Sequence, residues 1–237
     1  MAVQSGMGFT GRAGNLIYYE MRGKYYVRSV PARVRQTKAT KVRASQFGRA
    51  AAIGKAIREQ LSSVISNPKN NKMQTRLVSA VFQWLRSDRS QRAELINNLD
   101  LINAFNFSDQ AAGIQQRWKV ALQVSNPSPG LLQIKIPAFI PKGSIVAPAH
   151  TISVICTIAT AVCDTATAIG GSSTELIFNH NATRIAAQTI SIKLPTPDGS
   201  LIVTGVSLAY MISKNGIAKK NINKAFMPAG IVDAIFI

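Results

Sequence analysis

The chain has 237 residues, of which 46% are hydrophobic and 7% aromatic, a composition that excludes bulk disorder and fits a globular protein. A chain of this length buries roughly 70% of its unfolded surface, so its core needs no disulfide bonds, and no run of about 18 apolar residues predicts a membrane helix. The net charge of +18 indicates an anionic partner, such as nucleic acid, anionic lipid or an acidic protein surface.

Basic residues are concentrated near the start of the chain. Between Met21 and Arg58 there are eleven lysines and arginines and no acid. Because like charges at this density repel one another, such a stretch usually meets a negative surface. We therefore predict a basic N-terminal arm, residues 1–39, joined to a nearly neutral and more apolar body.

The first fourteen residues are rich in glycine, and we expect them to be flexible. Residues 6–11 have the form G-x-G-x-x-G. A dinucleotide-binding loop of that form needs a strand before it and a helix after it. Only five residues precede this one and a β-prone run follows it, so the sequence favours a flexible or threaded arm.

A β-hairpin is predicted next. Two β-prone runs, Leu16–Glu20 and Tyr25–Val30, flank Arg22-Gly23-Lys24, where the glycine can adopt the positive φ of a tight turn. Each run contributes two adjacent tyrosines, and successive residues of a strand point to opposite faces. Each pair therefore places one ring on each face. The polar segment after Pro31 predicts an extended arm.

Residues 40–112 are predicted to form a small helical unit. From about Thr40 to Ser66, apolar residues recur at three- and four-residue steps, as on an amphipathic helix. A second helix is expected to begin near Asn71. Ser87 can cap a third, short one that carries Leu95, Ile96 and Leu99.

After Gly113 the apolar period becomes two, which predicts strands. Turn-forming residues separate them, among them a Gly-Gly-Ser-Ser run at residues 170–173. About seven short strands in residues 113–237 indicate a two-sheet sandwich that is immunoglobulin-like, so the fold class expected is α+β. The last strand should be buried in its own sheet or in a neighbour's. The predicted strands are Arg117–Val124, Leu131–Ile136, Thr151–Ile158, Glu175–Phe178, Thr189–Leu194, Leu201–Ser213 and Ile231–Ile237.

The sequence contains no set of residues that predicts catalysis. Cys156 and Cys163 are expected to be small buried hydrophobes, and no spacing gives the two histidines, His150 and His180, metal or catalytic partners. The ten acids include no closely spaced pair of the kind glycosidases use. We therefore expect a protein that is not an enzyme and that uses no cofactor or metal.

The N-terminal third resembles a Bacteroidota family defined as a domain of unknown function, over about residues 8–60. The resemblance implies bacterial or phage origin and agrees with a C-terminal β-sandwich, but it implies no activity. Arg12 stands where the family has lysine. The matching segments are Gly11-Arg-Ala-Gly14-Asn15, Arg22-Gly23-Lys24, Arg28-Ser-Val-Pro31 and Ala44-Ser-Gln-Phe47.

The candidate functional residues are the cations and tyrosines of the arm. In one interpretation the cations contact phosphates and the rings stack on bases of DNA or RNA. In another, the arm docks on a neighbouring subunit, where arginine makes bidentate contacts with carboxylates. In a third, the rings hold the hairpin together and the charges are solvated. The residues are Arg22, Lys24, Arg28, Arg33, Arg35, Lys38, Lys41, Arg43, Tyr18, Tyr19, Tyr25 and Tyr26.

The sequence thus predicts a structural subunit that self-assembles through its arm and its sheet edges into a filament or other helical polymer, a tube or a shell. The alternative is a nucleic-acid-binding protein whose arm neutralises phosphates. The N-terminus lacks the apolar region of a secretory signal. We expect synthesis in the cytoplasm without a signal peptide, with release as an assembled particle as an open alternative.

Overall fold

The computed structural model describes residues 3–5, 8–30, 36–67, 70–86, 99–164 and 167–237. These fall into two compact units, the N-terminal unit (residues 1–43) and the body (residues 44–237). The fold mixes helices with antiparallel sheets, and strand (44%) exceeds helix (26%), as an α+β class requires. The strands are β1 Val3–Ser5, β2 Gly8–Ala13, β3 Leu16–Met21, β4 Lys24–Ser29, β5 Gln123–Ser128, β6 Leu131–Ile136, β7 Thr151–Cys163, β8 Ala168–Asn179, β9 Gln188–Lys193, β10 Leu201–Lys214, β11 Ile217–Lys220 and β12 Ala229–Phe236. The helices are α1 Lys38–Gln60, α2 Asn71–Arg86, α3 Asp100–Asn103, α4 Ile114–Arg117 and α5 Pro141–Ser144.

The N-terminal unit contains the predicted hairpin. Strands β3 and β4 pair in register around Arg22 (φ 55°) and Gly23 (φ 73°), which form a tight two-residue turn. The expectation of a flexible start was wrong for the residues described there, because β1 and β2 extend the hairpin into a sheet of order β1-β2-β3-β4. Gly14 (φ 56°) supplies the left-handed residue that reverses the chain between β2 and β3.

The first two predicted helices are present. Helix α1 begins at Lys38, two residues before the predicted start, and turns continue beyond it to residue 64. Helix α2 begins at Asn71 as predicted, and the side chain of Asn70 caps it by accepting from the Met73 N–H at 3.2 Å. Residues 87–98 of the predicted third helix lie outside the described residues, and α3 follows them.

The body contains two antiparallel sheets. In the five-stranded sheet, β11-β10-β7-β8 pair in that order and β12 also pairs with β10, while the smaller sheet has the order β5-β6-β9. Strand β6 has the predicted bounds, and β11 was not predicted.

Two predictions about the body were wrong in detail. The predicted strand Arg117–Val124 begins only at Gln123, because residues 114–117 are helical and Trp118 makes an isolated bridge. The glycines at 170–171 lie within β8 rather than in a turn. Position 171 needs glycine because the Cβ of any other residue would lie 2.9 Å from the carbonyl oxygen of Thr160.

The five-stranded sheet has a core on each face. Helices α1 and α2 cover one face, on which Ala161, Val203 and Ile231 lie. The three-stranded sheet covers the other face, where its Leu132 shares a core with Val154 and Val206. The helices therefore share their core with the strands, which the predicted separate unit 40–112 did not anticipate. The physical reason is that an amphipathic helix needs an apolar surface on which to bury its stripe.

The two cysteines are free and buried, as predicted. Cys156 and Cys163 lie on the same strand, β7, but on opposite faces, each in a different core. Burial raises the pKa of both thiols, that of Cys163 to about 12, so neither is a thiolate at neutral pH.

The C-terminal strand is paired within its own chain along one edge and at the start of the other edge. Along one edge β12 pairs with β10, from Ala229 to Phe236. On the other edge the Phe107 N–H donates to Ala229 O at 2.8 Å, and the Ile231 N–H donates to Phe105 O at 2.8 Å. Of the two alternatives stated for this strand, burial in its own sheet is the correct one.

Candidate nucleic-acid or subunit interface

The register of the N-terminal sheet sorts its side chains onto two faces. Directly opposed residues of paired strands share a face. Tyr19 is opposite Tyr26, and Met21 is opposite Lys24. Ile17 is opposite Arg28 on one side and Arg12 on the other. These seven residues form what we call the basic face, which contains three cations and no acid.

Aromatic stacking organises the centre of the basic face. The rings of Tyr19 and Tyr26 stack with centroids 5.6 Å apart and planes inclined by 21°. The Arg28 guanidinium carbon lies 5.7 Å from the Tyr19 centroid, within cation–π range. The ring pair and the cation together present a flat, polarisable and positively charged surface.

The opposite face is more apolar and carries the acid. Tyr18 is opposite Val27, and Glu20 is opposite Tyr25. The ring of Phe9 packs edge-on against Tyr18, with centroids 6.2 Å apart. Each tyrosine pair thus places one ring on each face, as predicted, and the four rings do not form a single surface.

The sheet is exposed on both faces. Among residues 8–30 and 36–43, Gly8 is the one that is buried. Val27 is 55% exposed, Phe9 52% and Met21 50%. Both apolar core clusters contain only residues of the body. The N-terminal sheet therefore has ordered strands and exposed apolar side chains but no core beneath them.

The remaining predicted cations lie in several places. Arg22 is in the hairpin turn, and Lys38, Lys41 and Arg43 are exposed on the first turns of α1. Arg33 and Arg35 lie outside the described residues. The structure thus places two predicted cations, Lys24 and Arg28, on one face with the stacked tyrosines.

Ion pairs among the described residues occur in the body. Lys55 pairs with Glu59 within α1 at 3.8 Å, and Arg76 of α2 pairs with Asp109. The described cations of the N-terminal unit form no ion pair with a described carboxylate. Their positive charge is therefore available to a partner.

Three residues that complete the basic face, Arg12, Ile17 and Met21, were not among the predicted contact residues. Strand β2 was hidden by its glycine-rich composition. A signal for it was present, since Gly14-Asn15 between two short β-prone runs is a two-residue hairpin turn. With that turn recognised, the pairing would have placed Arg12 beside Ile17.

Comparison with known proteins adds little. No family model matches the chain, and no curated protein matches it. Among solved structures, it is similar at a TM-score of 0.21 and 7% identity to a glycosyl hydrolase family 2 member from Bacteroides cellulosilyticus. The match covers 43% of this chain and spans 14% of the length of that protein.

Two features are absent from the described part of the chain. None of its helices is both long and apolar enough to cross a membrane. No three residues among its histidines, cysteines, aspartates and glutamates are grouped so that they could hold a metal ion.

Proposed function

We propose that the protein is a non-enzymatic structural subunit that self-assembles through its N-terminal arm. The observation that carries this proposal is the N-terminal sheet, which is exposed on both faces and has no core. A small sheet needs a packed apolar face for independent stability. The arm therefore gains most from a surface supplied by another molecule.

The side chains that such a surface would cover are large. Burial of a valine, methionine or phenylalanine side chain is worth about 1.5–3 kcal/mol. Phe9, Met21 and Val27 are each at least half exposed. Their burial against a neighbouring subunit offsets part of the association cost, which is about 4–15 kcal/mol.

In the proposed mechanism, the arm of one subunit lies across the next one. The outer edge of β4 and the outer edge of β8 are the ends of their sheets in the described fold. Such edges carry backbone donors and acceptors that can pair between chains. Repeated head-to-tail, these contacts give rings, tubes or filaments. The C-terminal strand, which pairs with β10 along one edge and is bonded at residues 229–231 on the other, is not part of this mechanism.

A second function, binding of DNA or RNA, is favoured by the basic face. Arg12, Lys24 and Arg28 would contact phosphates, and the stacked rings of Tyr19 and Tyr26 would receive bases. Base–aromatic stacking is worth about 1–3 kcal/mol per base. An assembly that encloses nucleic acid would combine the two functions.

We also propose that the two facing sheets of the body are an immunoglobulin-like sandwich. The support is that residues of β6 share an apolar core with β7 and β10. The body differs from a free-standing sandwich because helices cover the outer face of the larger sheet. An experimental structure with its strand connections traced tests this proposal.

Imaging of particles by negative stain, with and without prior nuclease treatment, tests the proposed function. Assembly through protein contacts predicts particles whose size is unchanged by nuclease. Particles that dissolve after nuclease would assign the basic face to nucleic acid instead. An absence of particles at every concentration contradicts the proposal.

A further inference from the structure

A recess of about 460 Å³ lies at the end of the five-stranded sheet where β7 begins. Four segments of the body line it, and they bring together the two histidines for which the sequence offered no partners. Its lining includes no carboxylate among the described residues. Its polar lining residues are Lys142, His150, Thr151, His180, Asn181 and Ser213.

Local hydrogen bonds fix the walls of this recess. The carbonyl of His150 accepts from the Ser213 N–H at 2.9 Å, and the His180 N–H donates to Ile152 O at 2.9 Å. The Thr151 hydroxyl donates to Pro148 O at 2.7 Å.

His150 itself has a φ of 61°, a left-handed conformation that is uncommon outside glycine. A strained residue held by its neighbours in this way supports a functional role.

The protonation of His180 decides which class of ligand fits. Its Nδ1 atom is buried and has no hydrogen-bond partner among the described residues. We assign the neutral ring the tautomer with its proton on Nε2, which leaves a lone pair rather than an N–H at the buried Nδ1 and makes Nε2 a donor. A metal-binding histidine instead uses one nitrogen as ligand and donates the other N–H to an acceptor. No described residue accepts from His180 Nδ1 in this way, and a donor at Nε2 suits an anion.

The charge in the recess also favours an anionic ligand. Burial, and to a lesser extent the nearby Lys142 ammonium, lower the pKa of His180, so this ring is neutral at pH 7. The charged and titratable groups that face it in the recess are Lys142 and His150. A single ammonium with several neutral donors around it is an arrangement that holds an oxyanion.

We propose that this recess binds a tetrahedral oxyanion of the phosphate or sulfate class. Lys142 supplies the charge, and the Nε2–H of His180 donates a hydrogen bond. The Asn181 amide and the Ser213 hydroxyl complete the set of donors. The site does not depend on the N-terminal arm or on assembly.

Proton NMR of the full-length protein tests the site directly, because the chain has two histidines and so gives two imidazole signals to follow. Inorganic phosphate should shift the His180 signal in a saturable way and raise its pKa, since a bound anion stabilises imidazolium. Sulfate should do the same. Chloride at equal ionic strength should not.

The matched variants are Lys142→Met and Lys193→Met, which remove the same charge inside and outside the recess. Both lysines are exposed, so both variants should fold. Lys142→Met should weaken phosphate binding at least about tenfold, since a charge-assisted contact is lost, and Lys193→Met should not. Equal affinity in the two variants would overturn the proposal. An absence of any phosphate-specific shift, or an equal response to acetate, would overturn it as well.

Discussion

The N-terminal unit and the body are ordered by different means. The body buries its large apolar side chains in two clusters, one on each face of a five-stranded sheet. The N-terminal unit has four paired strands but exposes its large apolar side chains, as Val27 and Phe9 illustrate. Backbone pairing alone can define a local structure, whereas only burial makes it independently stable. This difference is the basis of the proposal that the arm packs against another molecule, whereas the body buries its apolar side chains within one chain.

The sharpest test of this difference truncates one apolar side chain in each unit. Ile57 is fully buried in α1, whereas Val27 is 55% exposed. Ile57→Ala should lower the free energy of unfolding by about 2–5 kcal/mol, because it leaves a cavity. Val27→Ala should change the free energy of unfolding of the isolated subunit by about 0.5 kcal/mol or less. Urea denaturation of the dilute protein measures both, and equal losses would contradict the account.

Two glycines make a second matched pair. A Cβ at Gly230 would lie 2.8 Å from the carbonyl oxygen of Phe105, whereas a Cβ at Gly48 would meet nothing within 4 Å. Gly230→Ala should therefore destabilise the body by about 1–3 kcal/mol. Gly48→Ala, in the exposed part of α1, should stabilise the helix by about 0.5–1 kcal/mol. Thermal melts distinguish the two signs, and a stabilised Gly230→Ala variant would show that the packing at β12 is looser than described.

Charge removal on the basic face and in the hairpin turn of the arm sharpens the comparison further. If the basic face binds nucleic acid, Arg28→Gln should reduce the slope of log affinity against log salt by about one. Arg22→Gln, in the hairpin turn, is the control with the same change in charge. Fluorescence anisotropy with a single-stranded oligonucleotide measures the slopes. Identical slopes for the two variants and the parent protein would remove the basic face from nucleic-acid binding.

The smallest expected effect concerns Asp233 in the body. Its carboxylate accepts from the backbone N–H groups of Ala234 and Val124, and burial nevertheless raises its pKa. The folded state therefore holds this proton more tightly than the unfolded chain does. The contribution of Asp233 to stability should be greatest below its unfolded pKa of about 3.9 and should fall as the pH rises through its folded value.

Replacement of the Asp233 carboxyl checks the direction in which this group changes stability with pH. Asp233→Asn keeps an acceptor oxygen but does not titrate, so it should remove the fall in stability with rising pH that this group causes. Denaturation at several pH values above 4 measures the difference, and Asp198→Asn, at an exposed site, is the control. A parent protein that gains stability relative to Asp233→Asn as the pH rises would contradict the assigned direction.

Much of the fold could be predicted where local signals were strong. The hairpin at Arg22-Gly23 was found because turn chemistry and β-prone runs agree, and the start of α2 was found from its periodic apolar stripe. The helix at 114–117 was missed because it is one turn long and is fixed by tertiary contacts, such as the Ile114 N–H donating to Asn106 Oδ1 at 3.0 Å.

The basic face was also predicted only in part, because local signals fix some of its residues and strand register fixes the rest. Sequence alternation separated the adjacent tyrosines onto two faces, as the structure has them. Alternation could not show which cations share a face with Tyr19 and Tyr26, because their placement depends on the register of three strands. Arg12 and Arg28 share a face only through their common neighbour Ile17. The recess containing His150 and His180 was beyond sequence reasoning, since those residues meet through the pairing of β7 with β8 and β10.

The central claim is that the arm binds another subunit. The most direct test is light scattering coupled to size-exclusion chromatography, over a range of concentrations and after nuclease treatment. Full-length protein is compared with a variant that lacks residues 1–39. The account predicts multimers that grow with concentration for the full-length protein, and a folded monomer for the variant. A full-length protein that stays monomeric at every concentration, or a truncated protein that assembles equally well, would contradict it.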